Sequence, residues 1–467
     1  MIRPDGIRSG QLIRLEQSAR SAHLGNVTGA AALALVSTLT LDCSLADAAS
    51  LLLKNAHIVD PATRTEAPGH IRVEGPIVAA VLSEAPADFD GDIVDLEGKY
   101  VIPGLVDAHV HSGWNRAPAG APDEELGVEE TARRMLAAGV TAYLDLGSHP
   151  NRMFPVRDQL RQHDPSTDPQ ILRADIYAAG PVFVSVGRPG LSNGAIIVQN
   201  RMEARRQLER LAARRPDAIK IVFDWSGGRR TMSEEVMRAL VEHARELNLK
   251  TVVHIGTWEN ARLAADAGAT AITHLDDTAD LPESLALAMG AKHIFSIPTM
   301  AVQQDFLNIL EDQRILDSPL LRLVASNDLL GFYRRLDPAE YADCPTCRWQ
   351  REGRRHYGIW LGRLVHAGVP IVAGSDTGNL GTFQGFSLHR ELLLLRQWGL
   401  SNWDALAAGT TRAYELLGLN MGFSAGADAT FVVLSASPIE DIANTQRIER
   451  ILFHGRWVDR MPVAVRH

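Results

Sequence analysis

A chain of 467 residues, 46% hydrophobic and 22% charged, can bury a large core, and this balance excludes a disordered or membrane-embedded protein. Its 47 basic and 56 acidic side chains leave a net charge of −9 without any long lysine or arginine run, which argues against a nucleic-acid partner. The arginines of "ARRQLERLAARRP" alternate with leucine and alanine at helical spacing and read as a solvated helix face.

Residues 1–48 read as a leader. The small-residue-rich apolar stretch "GNVTGAAALALVSTLTLDCSLADAAS" follows Arg8, Arg14 and Arg20 and contains Ala46-Asp47-Ala48, the pattern of a signal peptide. This predicts export, to a periplasmic or extracellular space. Ser37, Thr38 and Thr40 interrupt the apolar core, so no membrane span is expected in the mature chain. The competing explanation, for a cytoplasmic protein, is a start codon placed too far upstream or an apolar helix packed on the body. Of three cysteines, Cys344 and Cys347 in "DCPTC" would then remain; in an oxidising compartment they predict a local disulfide, in the cytosol a pair of free thiols, and a zinc knuckle would need a second pair.

Beyond the leader, "SLLLKNAHIVDP", "GHIRVEG", "PIVAAVLS" and "GDIVDLEGKYVIPG" are short apolar or alternating runs broken by Pro, Gly and Asp, the texture of a small β-unit over 49–103. From residue 104 the rhythm changes to apolar strands alternating with helical stretches, which predicts βα units and a parallel sheet. After the "VIPGLVDAHVH" strand come "GVTAYLDLGS", "ADIYAAGPVF", "DAIKIVFDWSG", "KTVVHIGT", "AITHLDD", "HIFSIPTM" and "VPIVAGSDTG", making eight. Between them, "TMSEEVMRALVEHARELNL" carries Thr231 and Glu234 at capping-box spacing. The excursion over 301–367 would be an elaborated connection, a candidate lid. Past it, "ATFVVLS", "RILFHG" and "RWVDR" return to strand texture over 420–467. The expected fold is α/β: a (β/α)8 TIM barrel over 104–419 with a small β-sandwich domain built from both chain ends.

Metal-capable side chains recur where such a barrel opens. His109 and His111 are two apart on the first strand and so share a face. Lys220, His254, His274 and Asp376 close the fourth, fifth, sixth and eighth strands. Alone, His254 or His274 reads as a satisfied core histidine, and Asp376 as a turn or capping residue. Together, at the C-terminal ends of barrel strands, they read as a site.

In "HIVDP", "GKYVIPGLVDAHVH", "AGSDTGNLGTFQGFSLHREL" and "GADATFVVL" the chain resembles the metal-dependent amidohydrolase superfamily, and is similar to its imidazolonepropionase-like and prolidase-like branch. The resemblance implies two divalent metals: His109, His111 and Asp376 on one, His254 and His274 on the other, and a carboxylated Lys220 bridging them. Imidazole and carboxylate suit zinc, with cobalt or manganese as alternatives. A lysine ammonium would repel the cations, whereas a neutral amine that has added CO₂ is an anion. Asp376 would serve both as ligand and as proton carrier for hydrolysis of an amide C–N bond in a small molecule such as a dipeptide or N-acyl amino acid. A mononuclear deaminase or cyclic-amide hydrolase, a lactonase or esterase, and a barrel without catalysis are the alternatives; the retained ligand set argues against the last.

Arg188, Arg229, Arg230 and Tyr357 fall near expected loop ends and are candidate contacts to a substrate carboxylate or carbonyl, as is His149. His389 follows the eighth strand inside a helix and reads as a residue that supports the site from behind its ligands, or as a structural one, and not as a ligand itself. A homo-oligomer is compatible with the chain. The "SAGADAT" turn departs from the family pattern in lacking its proline, and the "DCPTC" region has no counterpart.

Overall fold

The computed structural model describes residues 50–162, 172–185, 194–225, 231–276, 278–341 and 344–461. The leader expected over 1–48 lies outside them, as do Arg188, Arg229 and Arg230.

The chain begins with β1 (Ser50–Asp60), β2 (Thr65–Glu74), β3 (Ile77–Leu82), β4 (Asp92–Asp95) and β5 (Tyr100–Pro103). Alternate side chains of β1 and β2, among them Leu53, Ile71 and Val73, are fully buried in a cluster shared with Phe431 and Val433 from the far end of the sequence. That apolar face joins both chain ends into one eight-stranded sheet, within which the N-terminal β5 pairs antiparallel with a C-terminal strand over Phe431–Leu434.

The barrel follows. β6 (Leu105–Val110) leads through the short hairpin β7 (Trp114–Asn115) and β8 (Glu124–Glu125) to α1 (Val128–Ala137), then β9 (Val140–Asp145), α2 (Pro150–Gln162), β10 (Asp175–Ala178), β11 (Phe183–Val184), β12 (Ile196–Ile197) and α3 (Arg201–Ala212). β13 (Ala218–Phe223), α4 (Glu234–Glu246), β14 (Lys250–Ile255), α5 (Trp258–Ala267), β15 (Ala271–Thr273), α6 (Glu283–Ala291) and β16 (Phe295–Ile297) continue the alternation.

Neighbouring strands pair in parallel from β6 to β9 to β10, and from β11 through β13, β14 and β15 to β16. The amide of Asp217 donates to Ala178 O at 2.9 Å and links the two runs. Parallel bridges Ser296↔Ile371 and Val110↔Thr377 insert the eighth segment between β16 and β6 and close the ring. Side chains from seven of these strands, including Ala108, Leu144, Ala218, Val252, Ala271, Phe295 and Val372, form one inner cluster.

The 301–367 connection is helical: α7 (Met300–Glu311), α8 (Pro319–Val324), α9 (Asn327–Arg334), α10 (Pro345–Gly353) and α11 (Tyr357–His366). Cys344 and Cys347 form a disulfide at the start of α10. α12 (Phe386–Gln397), α13 (Asn402–Ala408) and α14 (Thr411–Leu417) complete the outer layer, and β17 (Phe431–Leu434), β18 (Ile448–Phe453) and β19 (Arg456–Trp457) return to the first sheet. Among the described residues no helix is long and apolar enough to cross a membrane.

The expected capping box of α4 is corrected. The Thr231 hydroxyl is engaged with the end of β13, accepting from Asp224 N at 2.8 Å, so the helix starts later with Ser233 capping Val236 N at 3.3 Å.

Candidate metal centre

Strand alternation alone does not bring His109 and His111 to the barrel mouth. Val106 and Ala108, of opposite parity to the histidines, belong to the inner cluster. The register of β6 against β9 shifts between Asp107 and Val110, where Ala108 and His109 oppose Leu144 alone, and this bulge re-aims the strand end inward. Gly374 lets the eighth segment approach, because a Cβ there would stand 2.9 Å from His109 Cβ and 2.5 Å from Ile297 Cγ2.

The six residues singled out as metal-capable form one connected group. His109 Nε2 lies 3.2 Å from Lys220 Nζ and 3.4 Å from Asp376 Oδ1, and His111 Nε2 lies 3.1 Å from the same oxygen. His274 Nδ1 is 3.9 Å from Asp376 Oδ2, and the His254 ring centroid is 4.3 Å from that of His274. Pairing of β13 with β14 sets Val222 opposite His254, which places Lys220 two residues below on the same face. His109, His274 and Asp376 have ligand atoms within 4.8 Å of one another. Burial, reinforced by Lys220 and the other histidines, holds the His109 pKa well below 6.5. Burial alone would raise the Asp376 pKa, yet the hydrogen bond from His111 and the electrostatic attraction of His111, His274 and Lys220 together outweigh it and hold the carboxyl below its usual range. Imidazoles in their neutral form around a carboxylate would be the donor set that a divalent cation needs.

A second layer of side chains, absent from the sequence reading, orients these metal-capable groups. His109 Nδ1 meets Thr273 Oγ1 at 2.8 Å, leaving Nε2 toward Lys220 and Asp376. His274 Nδ1 meets Thr299 Oγ1, also at 2.8 Å. Since that hydroxyl donates to Pro298 O at 2.6 Å, it accepts from Nδ1–H and leaves Nε2 as the lone-pair nitrogen. Asp107 Oδ1 accepts from His109 N at 3.1 Å and Ser375 N at 2.9 Å, while its Oδ2 accepts from Ser375 Oγ at 2.5 Å. Burial lifts the Asp107 pKa to about 7 despite these bonds. Asn379 Nδ2 donates to Asp376 Oδ1 at 2.9 Å and to Asp376 O at 3.0 Å. His274, Thr299 and Asp376 all have φ between 53° and 71°, a left-handed conformation in which a β-branched threonine is an outlier.

Elsewhere, Tyr357 is fully buried in α11, accepting from Gln304 Nε2 at 2.8 Å and packing on Trp360 and Trp398. His149 accepts from Asn151 N at 3.3 Å at the start of α2. His389 is structural as expected: its Nε2 bonds Ala138 O at 2.8 Å, its Nδ1 lies 3.0 Å from Thr445 Oγ1, and burial lowers its pKa to about 4.

The model of the amidohydrolase family matches residues 100–458, from β5 to the last strand of the first sheet. The chain belongs to the amidohydrolase family. This amidohydrolase is accordingly a hydrolase acting on carbon–nitrogen bonds. An uncharacterized protein of Mycobacterium tuberculosis is 23% identical over 392 residues, covering 82% of this chain and 90% of that one. Among solved structures, a Xaa-Pro dipeptidase with bound methionine superposes with a TM-score of 0.69 at 19% identity, over 88% of this chain and all of the other. A prolidase complexed with N-methylphosphonate-L-proline gives 0.65 at 21%, with 88% and 100% covered. At such identities the likeness is one of fold, and it agrees with the barrel traced above.

Proposed function

We propose that this amidohydrolase is a binuclear metal enzyme that hydrolyses the amide C–N bond of a dipeptide or N-acyl amino acid, as prolidases do. The observation that carries the reading is the connected group of His109, His111, Lys220, His254, His274 and Asp376 at the strand ends. In this reading His109, His111 and Asp376 would hold one metal, His254 and His274 would hold the other, and Lys220 would contribute an anionic ligand. Zinc best suits the donors. Bound there, divalent metals would make water nucleophilic near neutral pH and polarise the scissile carbonyl.

The chain's own groups then carry the protons. Asp376, kept ionised by His111, accepts a proton as water oxygen bonds to the carbonyl carbon. It returns that proton to the leaving nitrogen as the C–N bond breaks, yielding a carboxylic acid and an amine. Asn379 holds one Asp376 oxygen by donating to it, which fixes the carboxylate plane. Lys220 enters as a carbamate: its neutral amine bonds CO₂ and loses a proton, replacing a cation at 3.2 Å from His109 with an anion.

One observation favours a mononuclear alternative, a deaminase or cyclic-amide hydrolase: His109, His274 and Asp376 alone bring ligand atoms within 4.8 Å of one another among the described residues. Metal content per chain separates the two. Protein grown with zinc and bicarbonate is expected to hold two metals, falling to one or none in Lys220→Ala together with loss of dipeptide and N-acyl amino acid hydrolysis. One metal in both proteins refutes the binuclear reading.

A further inference from the structure

Helix α7 starts immediately after the site, and its first turn is built in an unusual way. Thr299 occupies the N-cap, a position where threonine ordinarily accepts a hydrogen bond from an amide of the first turn. Here it makes no such bond and sits at φ 55°, ψ 46°. Its hydroxyl is committed instead to Pro298 O and His274 Nδ1. An amide that a capping Thr299 would take is served by a side chain from 90 residues away: Glu391 Oε2, on α12, accepts from Ala301 N at 2.7 Å. Glu391 is fully buried, and the neighbouring Arg390 binds Asp305, one turn further along α7, at 2.9 Å. Two consecutive residues of α12 therefore grip the first two turns of α7.

We propose that Glu391 is a positioning residue for the metal centre: by capping α7 from a distance it releases the Thr299 hydroxyl to hold His274 Nδ1–H, and thereby fixes the orientation and tautomer of the His274 ring, with Nε2 as its lone-pair nitrogen. An acceptor is required because a helix start buried without one leaves amides unsatisfied. Without Glu391, Thr299 relaxes from its left-handed conformation and turns its hydroxyl onto the helix amides. His274 then loses its hydrogen-bond acceptor and its fixed tautomer. The proposal rests on the reading of His274 as a metal ligand.

The test compares Glu391→Ala, Glu391→Gln and Thr299→Val by two readouts: zinc retention of the loaded protein against a chelator, and the ¹⁵N histidine spectrum of the metal-free protein. Glu391→Ala and Thr299→Val are expected to lose the Nδ1–H signature of His274 and to weaken zinc retention by about 10- to 100-fold. Glu391→Gln, whose amide oxygen still accepts from Ala301 N, should stay within about 3-fold of wild type, well inside the loss expected when an outer-shell partner is removed. Glu391→Met, of similar length but without the acceptor, replaces the alanine variant if a cavity prevents folding. An unchanged His274 spectrum in Glu391→Ala or Glu391→Met overturns the relay. His274→Ala separates that failure from failure of the site assignment, since undiminished zinc content in it would remove His274 from the ligands while the tautomer readout still decides the role of Glu391.

Discussion

Asp107 ties the first barrel strand to the eighth segment, and its removal should damage both the fold and the metal centre. Its two oxygens serve two backbone amides and one hydroxyl, all buried, at 3.1, 2.9 and 2.5 Å. Asp107→Ala leaves three buried groups without their acceptor. At about 1–3 kcal/mol for each orphaned group, with some relief from water entering the space, the expected loss is about 3–6 kcal/mol. Asp107→Asn retains an oxygen for the two amides and loses chiefly the Ser375 hydroxyl bond, about 1–1.5 kcal/mol. Urea unfolding of chelator-treated protein measures this gap without the contribution of metal binding. Zinc retention should fall in the same order, because the amides concerned belong to His109 and to the residue preceding Asp376. An alanine variant within about 1 kcal/mol of the asparagine variant would refute the idea that Asp107 clamps the barrel closed.

Asp376→Asn is expected to keep measurable metal while turnover falls by about 10²- to 10⁴-fold, the usual contribution of a proton carrier; unchanged activity would remove Asp376 from the mechanism. Burial lifts the Glu391 pKa to about 8 from an ordinary 4.5, so its carboxyl favours folding below about 4.5 and that advantage is lost as pH rises through about 8. Urea unfolding of wild type and Glu391→Gln should therefore diverge across this window, the glutamine variant losing less stability; parallel profiles would contradict a neutral buried carboxyl. His454 lies between Asp428 Oδ2 at 2.6 Å and Asp175 Oδ2 at 3.3 Å, joining the β18–β19 turn to the start of β10. Burial alone would lower its pKa, but the two carboxylates push it up to about 10, so the clamp is fully present below about 6.5 and lost as pH rises through about 10. His454→Ala should cost on the order of 1–2 kcal/mol at pH 7, discounted for screening at a partly exposed site, and clearly less once the pH has risen past about 10. Equal losses at both pH values would point to packing instead of charge.

The strand and helix rhythm was legible because each βα unit announces itself within its own stretch of sequence, and the metal-capable residues were legible because each lies in or just after an apolar run, Lys220 in the middle of one. The residues that aim those ligands were not. Asp107 meets Ser375 across 268 positions, His109 meets Thr273 across 164, and Ala301 meets Glu391 across 90. A buried threonine or glutamate has no local signature that separates a packed polar group from an orienting one. Thr231 illustrates the reverse error: capping-box spacing was present, but tertiary contact claimed the hydroxyl first. The same competition explains Thr299, where a residue with strong capping preference is diverted to the site.

Three of the ten non-glycine residues with positive φ among the described residues stand where this diversion occurs. His274, Thr299 and Asp376 follow three different strands and share the left-handed conformation, and two of them are the ligand and proton carrier assigned above. Such conformations cost of order 1–3 kcal/mol each and persist only when their surroundings over-determine them. Here the surroundings can be named: Asp376 N donates to His109 O at 2.7 Å, His274 N donates to Ile297 O at 3.0 Å, and Thr299 is held by the Glu391 cap one residue on. Each strained residue is thus pinned by a group on another barrel strand or an outer helix, so the mouth is shaped by closure of the whole ring and not by any one βα unit. A circularly opened or truncated barrel that kept all six metal-capable residues would on this argument lose the site, because the ligands' backbone conformations depend on strands they do not belong to.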